Sequence, residues 1–88
     1  MITAVVLISA EKGALPTLGQ ELAAIPGVSE VYSVTGEFDF IAMVRAKAHD
    51  DLADIVTGRI AQTKGVARTH THVAFRAYSK HDLETLFG

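Results

Sequence analysis

Val34-Thr35-Gly36-Glu37-Phe38-Asp39-Phe40, continued by Ile41-Ala42-Met43-Val44, is the stretch on which the reading of the fold turns. A polar turn runs directly into an apolar strand, and Gly36 is its pivot. Glycine takes positive φ at little steric cost, so the chain can reverse between Thr35 and Glu37 and expose backbone N–H groups beside a threonine hydroxyl. Asp39 sets a carboxylate close to those donors, and donors plus one negative charge in a compact turn suit a small zwitterion. In the plainer reading Asp39 only accepts local backbone hydrogen bonds and Gly36 only turns the chain. Spacing alone favours the plainer reading.

On the C-terminal side of the turn, Phe38 to Val44 is apolar on both faces, and Arg45-Ala46-Lys47 marks its exit to solvent. Val28 to Val34, more polar and so nearer an edge, precedes it as the other arm of a hairpin. Ile2 to Ser9 is also apolar at odd and even positions, which makes it a second central strand. Between these strands Leu15, Leu18, Leu22 and Ile25 recur at helical spacing, with Pro16 in the first turn, Gly19 at the stripe's edge and Pro26-Gly27 as the stop. Close packing on a sheet would offset the helical cost of Gly19.

A second helix is expected after the hairpin, with Asp50 as N-cap, Asp51 and Asp54 near its positive end, Lys64 near its negative end and Gly65 as C-cap. Leu52, Ile55, Val56 and Ile60 form its buried stripe, and Arg59 falls inside that stripe by angle, so it must snorkel or pair. The last strand, Val66 to Tyr78, alternates Thr69, Thr71, Val73 and Phe75 against Arg68, His70, His72 and Arg76. Ser79 and Asp82 have the spacing of a capping box for a short C-terminal helix carrying Leu83, Leu86 and Phe87.

The order β-α-β-β-α-β with a short terminal helix is the ferredoxin-like α+β plan, with an antiparallel sheet in the strand order 4-1-3-2. Gly27-Val28 and Gly65-Val66, each leading from a helix into a strand, mark its two halves as a weak repeat. Helices cover only one face of such a sheet, yet both central strands are apolar on both faces. The uncovered face therefore predicts a self-associating protein, with sheet packed on sheet as the simplest symmetric solution.

Composition agrees and narrows the function. The chain has 88 residues, read as one domain over 1–88, of which 49% are hydrophobic, and its mean hydropathy is +0.27. That is more apolar material than a small monomer hides comfortably. Cysteine is absent, which excludes disulfides and thiolate chemistry on the chain and fits a reducing compartment. A formal net charge of −2 and the lack of a basic run argue against direct nucleic-acid binding. The apolar start is too short to span a membrane and lacks a basic leader, so a cytoplasmic location is expected.

Little catalytic chemistry is on offer. His49, His70, His72 and His81 form no metal-ligand pattern, no serine carries a nucleophile motif, and there is no glycine-rich phosphate loop, so neither a metal nor a cofactor is expected. Aromatic residues in a basic surround, as an RNA-binding version of the fold would need, are missing at Phe38 and Phe40.

The helix ending in Pro26-Gly27-Val28, the hairpin Val34-Thr35-Gly36-Glu37-Phe38-Asp39 and the later Gly65-Val66-Ala67-Arg68-Thr69-His70-Thr71 together resemble the effector-binding (RAM) domain of the Lrp/AsnC regulators over nearly the whole chain. The resemblance implies an antiparallel dimer of the dimeric α/β-barrel type and assembly of dimers into a ring. It also implies amino-acid effectors bound between dimers. Carried onto this chain, Thr35, Gly36 and Asp39 with Thr69 and Thr71 would line that site. The family's N-terminal helix-turn-helix is not found here, so a stand-alone effector module is expected, acting through oligomer partners such as full-length regulators. The alternative is a small enzyme of the same fold, a cofactor-free monooxygenase or isomerase, using His70 or His72 in a barrel interior.

Overall fold

Ile2–Ala10 forms the strand β1, and everything else is arranged around it. Val28–Ser33 is β2, Phe40–Ala46 is β3 and Val66–Val73 is β4; the helices are α1, Leu15–Ala23, and α2, His49–Ile55. The computed structural model describes residues 1–78 and Lys80. The terminal helix expected from Leu83, Leu86 and Phe87, with its capping residues Ser79 and Asp82, lies outside them.

The four strands are ordered β2-β3-β1-β4 and every neighbouring pair is antiparallel, so the fold is the expected ferredoxin-like α+β sheet with β1 and β3 at its centre. Pleating sends alternate residues to opposite faces. Ala4, Val6 and Ile8 of β1 and Phe40, Ala42, Val44 and Ala46 of β3 pack beneath Leu18 and Leu22 of α1 and Leu52 of α2, all of them buried. Full burial of a large apolar side chain contributes about 1.5–3 kcal/mol, so this one-sided layer is the core. Gly19 lets α1 lie close to the sheet, since a Cβ there would stand 3.1 Å from Phe40 Cε1. Leu15, expected in the buried stripe, is half-exposed at the helix start.

The opposite face carries Val5 and Leu7, paired with Met43 and Ile41 of β3 and with His72 and His70 of β4. No helix covers it among the described residues, and Val5, Leu7, Ile41 and Met43 are only half-buried. Tyr32 of β2, opposite Ile41, is 49% exposed on the same face.

Several boundaries differ from the sequence reading, each for a local reason. β3 runs to Ala46 because β1 still offers Thr3 and Ile2 as partners for Arg45 and Ala46. β4 stops at Val73 and not at Tyr78, because the Ala74 N–H bonds Thr3 O at 2.9 Å, where β1 begins and its ladder runs out. Asp50 is not the N-cap of α2; Ala48 holds that place, and Asp50 and Asp51 sit in the first turn beside the positive end of the helix dipole.

After Ile55 the helix widens into a π-helical turn, Val56–Ile60, with Ala61 N–H bonded to Val56 O at 2.9 Å. The extra residue per turn moves the inward position from Arg59 to Ile60. Arg59 is thereby exposed and Ile60 fully buried, which removes the conflict in the α-helical stripe. Ala61 is the C-cap, so Lys64 and Gly65 lie beyond the helix, and Gly65 instead makes the tight entry into β4.

Gly65 has φ of +102° and a Cβ there would lie 2.8 Å from Ala14 Cβ, whereas Gly36 has φ of +109° with open space around it. Gly65→Ala should therefore cost about 2–4 kcal/mol, from backbone strain and overpacking together, and Gly36→Ala about 1–2 kcal/mol from strain alone. Chemical denaturation of both variants checks the difference; equal losses would mean the approach of Ala14 is of no consequence.

Candidate effector site

The hairpin connection, residues 34–39, is held by its two ends. Val34 N–H bonds Asp39 O at 3.0 Å and closes the loop on itself, while Asp39 N–H bonds Ile8 O at 2.9 Å and ties it to β1. A third bond comes from the side chain: Asp39 Oδ2 accepts the Ala10 N–H at 2.7 Å. That amide is available because the β1–β4 register shifts between Ser9 and Ala10. A carboxylate on a freed backbone donor is a charge-assisted bond, stronger than a neutral one, and it fixes where the loop sits on the sheet.

Asp39 thus accepts backbone hydrogen bonds, as the plainer reading expected, although its partner is 29 residues away in sequence. Only Oδ2 is committed among the described residues, so the second oxygen can accept from another group. Thr35, Gly36 and Glu37 are exposed above this anchor, with their polar groups presented to whatever approaches the loop.

Thr69 and Thr71 stand elsewhere. They pair with Ile8 and Val6 of β1, so their side chains belong to the helix-covered face, at the β4 edge of the sheet. β1 lies between them and Asp39, at two strand spacings, or about 10 Å. Within one chain, the expected site residues therefore fall into two groups, a loop trio and a threonine pair.

Apart from the alternative enzymatic use of His70, sequence reading gave no role to the residues that the fold gathers at the loop end of the open face. Phe38 meets the His70 ring edge-on, with centroids 5.2 Å apart and planes at 65°. Ser9, paired with Arg68, has a buried Oγ without a partner among the described residues. Alternation along β4 had already separated His70 and Arg68 from Thr69; what it could not give was the turn of Phe38 towards them. On β2, Tyr32 donates to Glu30 Oε2 at 2.5 Å. That hydrogen bond, and then the Glu30 charge, raises the phenol above its ordinary pKa. Among the described residues no group of three His, Cys, Asp or Glu is placed to hold a metal ion, and no helix is long and apolar enough to cross a membrane.

Residues 3–83 match the family model of the Lrp/AsnC ligand binding domain. The chain belongs to the Lrp/AsnC family. The crystal structure of TTHA0845 from Thermus thermophilus superposes with a TM-score of 0.84 at 49% identity, covering 91% of this chain and 100% of that one. An uncharacterised HTH-type transcriptional regulator of Pyrococcus furiosus is 40% identical over 58 residues, which are 66% of this chain and 39% of the regulator. This Lrp/AsnC domain thus spans well under half the length of that curated relative. The feast or famine regulatory protein of M. tuberculosis, solved in complex with L-methionine, is 29% identical with a TM-score of 0.75, covering 91% of this chain and 54% of that one.

The Asp39 anchor has a direct structural consequence. Asp39→Ala should lower stability by about 1.5–3 kcal/mol, the range for a hydrogen bond to a charged group, and speed hydrogen exchange at the Ala10 amide. Asp39→Asn keeps an oxygen acceptor and should recover more than half of the loss; if it recovers none, the charge and not the bond holds the loop.

Proposed function

We propose that this chain is an amino-acid-sensing and oligomerisation module of the Lrp/AsnC regulators. Two copies pack open sheet face on open sheet face as a dimeric α/β barrel, and dimers join in a ring. The observation that carries the reading is the anchored loop: Asp39 is pinned to β1 through one oxygen while the exposed Thr35–Gly36 turn presents donors beside it. A zwitterion needs donors for its carboxylate and an acceptor for its ammonium, and this loop offers both. The L-methionine complex of the mycobacterial relative supports an amino acid as the ligand class.

The separation of the loop trio from Thr69 and Thr71 fits a site shared between dimers. The loop of one dimer meets the β4 edge of the next, so effector and ring closure are coupled. The module acts in the cytoplasm on full-length regulators that share the same interface, and it does not itself bind DNA. An enzymatic role through His70 or His72 is the weaker reading, since the exposed polar groups concentrate on the loop at residues 35–39 and the His70 ring is engaged edge-on by Phe38.

Calorimetry with the twenty amino acids tests the proposal. At least one should bind, Asp39→Asn should weaken it by about 1.5–3 kcal/mol, and Gly36→Val should abolish it by forbidding positive φ at the turn. An isotherm unchanged in Asp39→Asn would move the site elsewhere; no binding by any amino acid would leave an assembly module without an effector.

A further inference from the structure

At the other end of the open face, roughly 17 Å along β1 from the Asp39 anchor, lies a cavity of about 350 Å³. Thr3 and Val5 of β1 and Met43 and Arg45 of β3 form its floor, and residues 74–77 cross beside it as a strap. The strap starts where Ala74 N–H bonds Thr3 O at 2.9 Å, so its position is set by the end of the β1–β4 ladder. The volume is at the lower end of the range for small-ligand sites.

Its chemistry is one-sided. The charged side chains that line it are Arg45 and Arg76, and no carboxylate is among the lining residues. Arg45 donates from Nη1 to Ser29 Oγ at 2.7 Å, which orients the guanidinium and leaves its other donors free among the described residues. Glu30, the acid nearest in register through its pairing with Met43, is engaged by the Tyr32 hydroxyl. Val5 and Met43 supply apolar lining to the same cavity.

We propose that this cavity is a second small-molecule site, for a monocarboxylate with a short apolar tail and no ammonium group. Two guanidinium groups pair with a carboxylate, bidentate where geometry allows, while Val5 and Met43 receive the tail. An ammonium would stand among cations with no acceptor of opposite charge, so the same cavity rejects the zwitterion that the Asp39 loop is built to take. The two sites thus differ by the sign of one requirement. In the proposed dimer a second copy covers this face and closes the open side of the cavity. The assignment does not rest on the effector reading; it requires that the cavity persist between the two copies where their sheets pack.

The test is a matched pair of ligands, 4-methylpentanoate and leucine, which differ by the ammonium, titrated calorimetrically into the full chain at low salt. The carboxylate should bind, with Arg76→Ala weakening it roughly tenfold or more, Arg76→Lys recovering part, and Asp39→Asn leaving it unchanged. Light scattering on the same samples reads assembly. The proposal is overturned if 4-methylpentanoate does not bind, or if Arg76→Ala binds it as wild type does. It is equally overturned if Asp39→Asn loses it, which would place the ligand at the loop. Where Arg76→Ala leaves the isotherm unchanged but alters the assembly, a second copy fills the cavity.

Discussion

A four-stranded sheet with both helices on one side has to dispose of its other side, and that constraint organises this molecule. β1 and β3 are central and carry apolar residues on both faces, so each residue buried beneath the helices has a neighbour pointing the opposite way. Val5, Leu7, Ile41 and Met43 cannot be buried by anything the described residues provide. The edge strands soften the face without covering it: β2 adds Glu30 and Tyr32, and β4 adds Arg68, His70 and His72. An apolar centre framed by polar edges is the pattern of an interaction surface, and it is the basis of the proposed sheet-on-sheet dimer.

The anchored loop depends on the same architecture. Asp39 reaches the Ala10 amide only because β3 and β1 are adjacent and because the irregularity at Ser9 and Ala10 frees that amide. Its Oδ2 is committed to the Ala10 amide and its own N–H to Ile8 O, so the loop's position on the sheet is fixed by the fold itself.

Much of this was legible in the sequence, because the signals were periodic. The element order β-α-β-β-α-β, with its hairpin at Thr35–Gly36, pointed to the ferredoxin-like plan and its strand order, and both-face apolarity agreed by marking β1 and β3 as central. What could not be read were features set by tertiary geometry. The π-helical turn at Val56–Ile60 exists because the core accepts Ile60 and not Arg59, and no local preference announces it. The end of β4 at Val73 is fixed by where β1 begins, not by β4's own residues. At the site, alternation placed Thr69 and Thr71 opposite His70 correctly. Single-chain reasoning, however, could not show that β1 would stand between those threonines and Asp39.

Because everything here turns on the open face requiring a second copy, the decisive experiment is molar mass in solution by light scattering, followed by dilution into the nanomolar range with circular dichroism as the readout of folding. A mass of at least twice the 9.4 kDa chain is expected at micromolar concentration, with loss of structure accompanying loss of assembly on dilution. A single folded species at 9.4 kDa would contradict it, because Val5, Leu7, Ile41 and Met43 would then lie on a face that none of the described residues covers and no second copy buries.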